Sequence, residues 1–174
     1  NFRGIPGKTY VLDVTVDGKT YTATSKMPTR VKLDSLTFKR LPFFGNINTY
    51  AVVNYNDPEA EQNQYRYILK VNELVEADVV VEDRFTNGNQ VADVIFYDLE
   101  DIDTNDKIDL ELQCIDRNVF KYYFAFAQIQ GEGGPPVAPA NPISNFSNGA
   151  LGVFSAHTSS KYGVFVTIKG KPAD

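Results

Sequence analysis

The sequence predicts a mainly β protein, a β-sandwich or barrel-like domain that carries one packed α-helix. Three observations support this fold class. Many short runs alternate apolar and polar residues, turn motifs separate these runs, and a single stretch has helical periodicity. Apolar residues make up 43% of the 174 residues, which indicates a folded chain rather than a disordered one.

The clearest local pattern is a β-hairpin near the N-terminus. Residues 10–16 and 19–25 alternate, and Asp17-Gly18 between them is typical of a type I′ turn. A two-residue loop places Val14 opposite Tyr21, so both strands put their apolar groups on one face.

A domain boundary is predicted just after this hairpin. Met27-Pro28 ends the unit, because proline cannot donate a hydrogen bond to a strand ladder. We therefore expect an N-terminal hairpin over residues 1–28 and a main β domain with one helix over residues 29–174.

The main domain contains several runs with strand character. Strands are predicted at residues 31–38, 50–55, 65–71, 91–97 and 108–114, with a closing pair at 151–158 and 162–168. Residues 41–48, with Pro42 and Gly45, are expected to form a loop, and residues 73–82 are ambiguous. Cys114 lies on an apolar strand face and is interpreted as a buried packing residue.

One substantial helix is predicted at residues 117–130. Asp116 is a suitable N-cap, Gly131 supplies a stop signal, and the aromatic residues between them recur at helical spacing. This aromatic stripe is expected to face the core. Residues 131–142 are rich in Gly and Pro and are expected to be extended.

Composition makes several functions improbable. The net charge of −5, without a basic cluster, argues against nucleic-acid binding. Nucleophilic catalysis needs a base beside Ser or Cys, and the chain has one histidine, His157, and one cysteine, Cys114. Nothing beyond their presence supports a dyad, and they cannot supply a zinc site alone. We therefore expect no enzyme activity and no cofactor, with calcium as the one metal that stays a candidate.

The calcium candidate is an acidic stretch after residue 97. Asp101, Asp103 and Asn105 match the first three ligand spacings of a calcium loop, where oxygens at alternate positions converge on a hard cation. The pattern then fails, because Leu112 stands where a bidentate Glu belongs. The alternative interpretation is a solvated acidic loop between two strands.

A segment near the C-terminus is the candidate ligand-binding or chain-locking loop. Its prolines fix an extended path, its asparagines can bond neighbouring backbone groups, and its glycines permit close backbone approach. The candidate residues are Asn141, Asn145, Phe146, Asn148 and Phe154.

Several segments together resemble one family. Residues 7–24 resemble its hairpin motif, and residues 33–36, 56–58 with 63–66, and 115–123 resemble later elements. The closing PANPISN at 139–145, followed by GALGVF at 149–154, is the most specific match. The family is a domain-of-unknown-function group of Bacteroidetes lipoproteins, often encoded beside TonB-dependent outer-membrane receptors.

The resemblance implies an exported protein on the periplasmic or surface side of the outer membrane. It also implies an immunoglobulin- or transthyretin-like domain before the main β domain, and we expect residues 1–28 to be the last hairpin of such a domain. Membrane attachment is expected only through a lipid anchor, and we expect that anchor to be absent from this chain.

Our leading hypothesis is a non-catalytic binding or accessory protein of an outer-membrane uptake system, with a glycan or peptide ligand. The alternative is a structural or assembly module that contacts a TonB-dependent transporter or another surface protein. A hydrolase is a distant third possibility, because it would need carboxylates at catalytic spacing or a histidine-activated nucleophile.

Overall fold

The computed structural model describes residues 3–99, 102–130, 141–168 and 171–172, which form three antiparallel sheets and one helix. The predicted mainly β fold class is confirmed. The strands are β1 (Thr9–Val16), β2 (Lys19–Lys26), β3 (Leu33–Phe43), β4 (Asn46–Asn56), β5 (Gln64–Val71), β6 (Leu74–Glu82), β7 (Gln90–Ile95), β8 (Lys107–Ile115), β9 (Thr158–Ile168) and β10 (Lys171–Pro172); the helix is α1 (Arg117–Gln130).

Two sheets pack face to face as a sandwich. One has the strand order β10-β9-β8-β5-β6 and the other has the order β3-β4-β7. Alternate residues of each sheet point inward and form one apolar cluster, as the period of two requires. The cluster includes Leu36, Val53 and Tyr55 from the three-stranded sheet and Tyr67, Leu69, Leu110 and Leu112 from the five-stranded sheet.

The two sheets approach each other along both of their sides. On one side, β3 lies beside β9, which is separated from the edge of its sheet only by the two-residue β10, and the Leu33 N–H donates to Ser160 Oγ at 3.0 Å. On the opposite side of the sandwich, β6 and β7 are the terminal strands of their sheets and line the same surface. This second pair of edges has no further strand within the described residues.

A buried polar chain crosses the core between the sheets. The Tyr55 hydroxyl lies 2.8 Å from the Tyr67 hydroxyl, which in turn donates to Asp93 Oδ2 at 2.7 Å. Tyr65 donates to the Asp57 carboxylate nearby, whose other oxygen accepts the Gly88 N–H at 3.0 Å. The tyrosines therefore bring large apolar rings into the core while every hydroxyl finds a partner.

The N-terminal hairpin forms as predicted. β1 and β2 pair in the expected register, with Val14 opposite Tyr21, and the turn residues Asp17 and Gly18 have φ angles of 50° and 76°. Both angles lie in the left-handed region that a type I′ turn requires. The assignment of this hairpin to a separate immunoglobulin-like domain stays a prediction.

A three-way junction attaches the hairpin to the main domain. Ser25 Oγ donates to the Asp116 carboxylate and accepts the Ala156 N–H at 2.9 Å. The Lys26 N–H also donates to Asp116 Oδ2, at 3.1 Å. One buried serine and one carboxylate thus connect β2, the start of the helix and the segment before β9.

The helix begins where the sequence predicted. Asp116 Oδ1 accepts the N–H groups of Asn118 at 2.8 Å and Val119 at 3.0 Å, so Asp116 is the N-cap. The predicted stop at Gly131 lies outside the described residues, as do most of residues 131–142.

The expectation that the aromatic stripe of α1 faces the core is wrong. Among its described side chains only Val119 is buried, whereas Phe120 and Tyr123 are half-buried and Phe124 is 50% exposed. The reason is that α1 lies over the outer face of the five-stranded sheet, where its rings stack on one another. Helical periodicity alone could not distinguish this position from a core-facing one.

Residues 41–48 do not form the predicted loop. They are the end of one long hairpin, in which β3 and β4 are joined only by Phe44 and Gly45, with φ angles of 46° and 89°. Pro42 is tolerated because β3 is an edge strand of its sheet.

The closing pair of strands is also corrected. Residues 151–157 have no strand; β9 pairs with β8 on one side and with the two-residue β10 on the other. The backbone groups before β9 bond instead to side chains such as Asn145 and Ser25. The ambiguous residues 73–82 form β6, after a turn at Asn72 and Glu73 with positive φ angles.

Candidate functional site

The most extensive candidate site lies between the edges of β6 and β7, and we call it the edge groove. It consists of two adjoining recesses of about 770 and 430 Å³ that share Val79, Val94 and Phe96. The helix forms one wall of the larger recess through Tyr123, Phe126 and Ala127. The loop after β6 borders the smaller recess through Phe85 and Thr86.

The groove presents large apolar side chains to solvent. Phe96 is 74% exposed and Phe85 is 89% exposed, although phenylalanine side chains are usually buried. Val79 occupies an inward-facing position opposite Tyr67 and is still 37% exposed, because β6 is the terminal strand of its sheet within the described residues. An exposed apolar surface of this kind is typical of an interaction site.

The hydrogen-bonded chain from Tyr55 through Tyr67 ends at one carboxylate, Asp93, which lines this groove. Asp93 is half-buried on β7, and the Tyr67 hydroxyl donates to it. Burial raises the pKa of Tyr67, and the neighbouring Tyr55 and Asp93 raise it further. The hydroxyl therefore stays protonated and keeps its donor role at physiological pH.

A guanidinium holds the helix wall against the sheet. Arg66 on β5 donates from Nε to Asp78 Oδ1 at 2.6 Å and makes a second bond to Asp78 Oδ2. Its guanidinium carbon lies 3.9 Å from the centre of the Tyr123 ring. Burial alone would lower the pKa of Arg66, but the hydrogen bond to Asp78 raises it above its ordinary value. This bidentate pair stacked on a ring fixes the position of α1.

The groove is limited at one end by a cross-link between the two sheets. The Tyr97 hydroxyl, just after β7, donates to Glu76 Oε2 on β6 at 2.6 Å. The edge between this cross-link and Phe85 is the stretch that is open to a ligand, which is long enough for several residues of an extended chain.

The predicted loop candidates lie elsewhere and hold the chain together. Asn145 Nδ2 donates to the carbonyls of Phe154 at 2.7 Å and Thr24 at 3.2 Å, and Asn145 Oδ1 accepts the Phe154 N–H at 2.9 Å. Asn148 Nδ2 donates to the Thr20 carbonyl at 2.8 Å. Asn145 and Asn148 therefore connect this segment to β2, as the chain-locking interpretation requires.

The remaining loop candidates have less specific surroundings. Phe146 forms an isolated β-bridge with Ala23, so the segment covers the outer edge of β2. Phe154 is half-buried, and Asn141 is exposed. A ligand-binding role of the loop stays a prediction.

We expect Asn145→Ala to lower the free energy of unfolding by about 2 kcal/mol, because it removes three hydrogen bonds, of which the two to Phe154 are partly shielded from water. Urea denaturation measures this loss. Limited proteolysis should then cut within residues 141–156 sooner than in the wild type. Asn141→Ala is the matched control and should change neither result; an equal effect of both substitutions would contradict the locking role.

The acidic stretch is brought together only in part. Asp101 lies outside the described residues, and Asp103 and Asn105 are exposed. The Asp106 carboxylate accepts Asn72 Nδ2 and the Asp103 N–H, each at 2.7 Å, and the bond from Asn72 is the main cause of its lowered pKa. Among the described residues, no group of three or more His, Cys, Asp or Glu side chains is arranged to hold a metal ion. Calcium binding stays a prediction.

Cys114 and His157 make hydrogen bonds to different partners. Cys114 is buried, as predicted, its sulfur accepts the Val31 N–H at 3.2 Å, and burial raises the pKa of its thiol. The His157 Nδ1 lies 3.1 Å from Ser155 Oγ, and burial lowers the pKa of the ring against the opposing effect of Glu111. A thiol with a raised pKa is a poor nucleophile at neutral pH.

The edge groove was not found from the sequence. Its central strand falls in the ambiguous residues 73–82, and its other wall depends on which strands become sheet edges. The one available signal was the run Val79-Val80-Val81 between acidic residues, which fits an exposed apolar edge better than a fully buried strand.

Comparison with known proteins shows the family of this chain. The family model described as Domain of unknown function (DUF4249) matches residues 1–162, so the chain belongs to that family. This confirms the predicted membership of a family of unknown function. No curated protein and no solved structure matched the chain.

Proposed function

We propose that this member of the DUF4249 family is a non-catalytic binding module whose edge groove takes up an extended polypeptide segment. The observation that carries the proposal is the coincidence of two sheet edges and exposed Phe and Val side chains at one surface. An edge strand offers a row of N–H and C=O groups at the spacing of another strand.

The chemistry of this surface favours a peptide over a glycan. An unpaired strand edge satisfies the backbone of a peptide directly, whereas a sugar needs side-chain donors and acceptors around its ring. The edge groove then accepts alternate side chains of the added strand, which supplies specificity. Phe96, which rests edge-on against the buried Tyr50 at 5.4 Å between ring centres, is a pre-positioned anchor for such a side chain.

The cellular setting is the second part of the proposal. The resemblance of residues 139–154 to outer-membrane lipoproteins of Bacteroidetes supports an exported accessory protein of an uptake system. Its polypeptide partner would then be a segment of a TonB-dependent transporter or of another surface protein. Within the described ranges, no helix combines the length and apolar character needed to cross a bilayer.

Selection from a displayed library of random 12-residue peptides tests the binding role. Peptides selected on the wild-type chain are titrated against Phe96→Ser, which we expect to weaken binding about tenfold or more because an aromatic anchor is lost. Phe96 is 74% exposed, so this change should leave the fold intact.

Leu151→Ser is the matched control, since Leu151 is 76% exposed and lies in the segment before β9. It should bind the selected peptides as the wild type does. If Leu151→Ser weakens binding and Phe96→Ser does not, the site lies in the closing segment and the edge groove is not the binding site. Failure to select any peptide that depends on Phe96 would also contradict the proposal.

A further inference from the structure

We infer that the edge groove selects a basic strand, an extended peptide with a Lys or Arg side chain whose charged head meets the Asp93 carboxylate. This inference rests on the proposed function and names the class of its ligand.

The charges along the groove are unbalanced. Its described lining contains four carboxylates, Glu76, Asp78, Glu82 and Asp93, but one guanidinium, Arg66. The Arg66 guanidinium already makes two hydrogen bonds to the Asp78 carboxylate. A ligand with positive charge therefore complements this surface, and one with negative charge is repelled by it.

Asp93 is the carboxylate best placed to bind a positively charged side chain of the ligand. Its Oδ2 accepts the Tyr67 hydroxyl, and its Oδ1 has no hydrogen bond to any described residue. The same side chain lines the smaller recess beside Val79 and Phe96. A cationic head placed there would find a free carboxylate oxygen, while its aliphatic stem lies against the apolar walls.

The same charges disfavour a second copy of the chain as the occupant. In an antiparallel pairing of two β6 strands about their centre, Asp78 stands opposite Asp78. In an in-register parallel pairing, every acidic residue of β6 lies close to its own copy. Like charges opposed across a strand pair are destabilising, so a basic partner strand fits where a second β6 does not.

Three synthetic probes separate charge from strand pairing. The first is a capped octapeptide that alternates Lys and Val, the second replaces each Lys by Glu, and the third is the Lys-Val peptide with alternate backbone nitrogens methylated. At low salt we expect the first probe to bind the wild type at least about tenfold more tightly than either of the others, since only it offers both positive charge and a complete strand edge.

The variant Asp93→Asn tests the named carboxylate. It keeps an acceptor for Tyr67 while removing the charge, and we expect it to bind the Lys-Val probe about fivefold more weakly. Asp34→Asn is the matched control, because Asp34 lies on β3 at the other edge of its sheet, and it should leave the affinity unchanged.

Equal affinity for the Lys-Val and Glu-Val probes, or an unchanged affinity of Asp93→Asn, would overturn the inference. The inference would also be overturned if sedimentation showed a dimer of the chain that the substitution Val79→Lys dissociates. The occupant of the edge groove would then be a second copy of the chain. If the library yields Phe96-dependent peptides without Lys or Arg, the proposed function stands and this inference fails. If no peptide depends on Phe96, both fail.

Discussion

Replacing Asp116 by alanine should lower the free energy of unfolding by about 3 kcal/mol, measured by urea denaturation. The reason is that one carboxylate serves two structures at once. Its Oδ1 caps the helix through Asn118 and Val119, and its Oδ2 accepts from Ser25 and Lys26 of the hairpin. Loss of a cap costs about 1 kcal/mol, and the two hairpin donors left without an acceptor add the rest.

Two variants show whether both functions are real. Asp116→Asn can still cap the helix through its amide oxygen but cannot accept two bonds from the hairpin, so it should cost about half as much. Glu61→Ala removes an exposed carboxylate that lines, together with Asp116, a recess of about 180 Å³ between the end of β2 and the start of α1, and it should have little effect. A loss below about 1 kcal/mol for Asp116→Ala would show that the hairpin is not held through this residue.

The second large effect is expected at Asp57, inside the core. Asp57→Ala leaves the Tyr65 hydroxyl and the Gly88 N–H without their acceptor, in a region where Asp57 and Tyr65 are both buried. We expect a loss of about 3 kcal/mol, because an unsatisfied buried donor retains its full desolvation cost. Equilibrium urea unfolding gives the value.

A double-mutant cycle with Tyr65→Phe separates the contribution of the Tyr65–Asp57 hydrogen bond from other effects of removing the Asp57 side chain. The Tyr65→Phe change removes the donor, so Asp57→Ala should cost clearly less in that background than in the wild type. Additive effects of the two changes would show that the Tyr65–Asp57 hydrogen bond does not contribute to stability.

Much of the fold could be predicted from local patterns. The Asp17-Gly18 turn, the alternation that ends at Cys114 and the Asp116 cap each depend on a few neighbouring residues, and each is confirmed. The failures depend on distant contacts. The loop predicted at residues 41–48 contains Pro42, and the position of Pro42 on an edge strand is visible only once the sheet is assembled.

The candidate site was less predictable than the fold. The asparagines near residues 141–148 were identified as important, but their bonds to β2 span more than 120 positions, and their spacing carries no information on that partner. The edge groove depends on β6 and β7 becoming terminal strands on the same side of the sandwich. No local periodicity encodes strand order, so this site could be found only in the assembled structure.

The central claim is that β6 presents an open edge which a peptide can complete. Residue-resolved hydrogen exchange on the free chain and on its complex with a selected peptide tests it most directly. We predict that alternate amides of β6 exchange rapidly in the free chain and become protected in the complex, while β5 amides are slow in both. Slow exchange along all of β6 in the free monomer, or exchange that the peptide leaves unchanged, would contradict the claim.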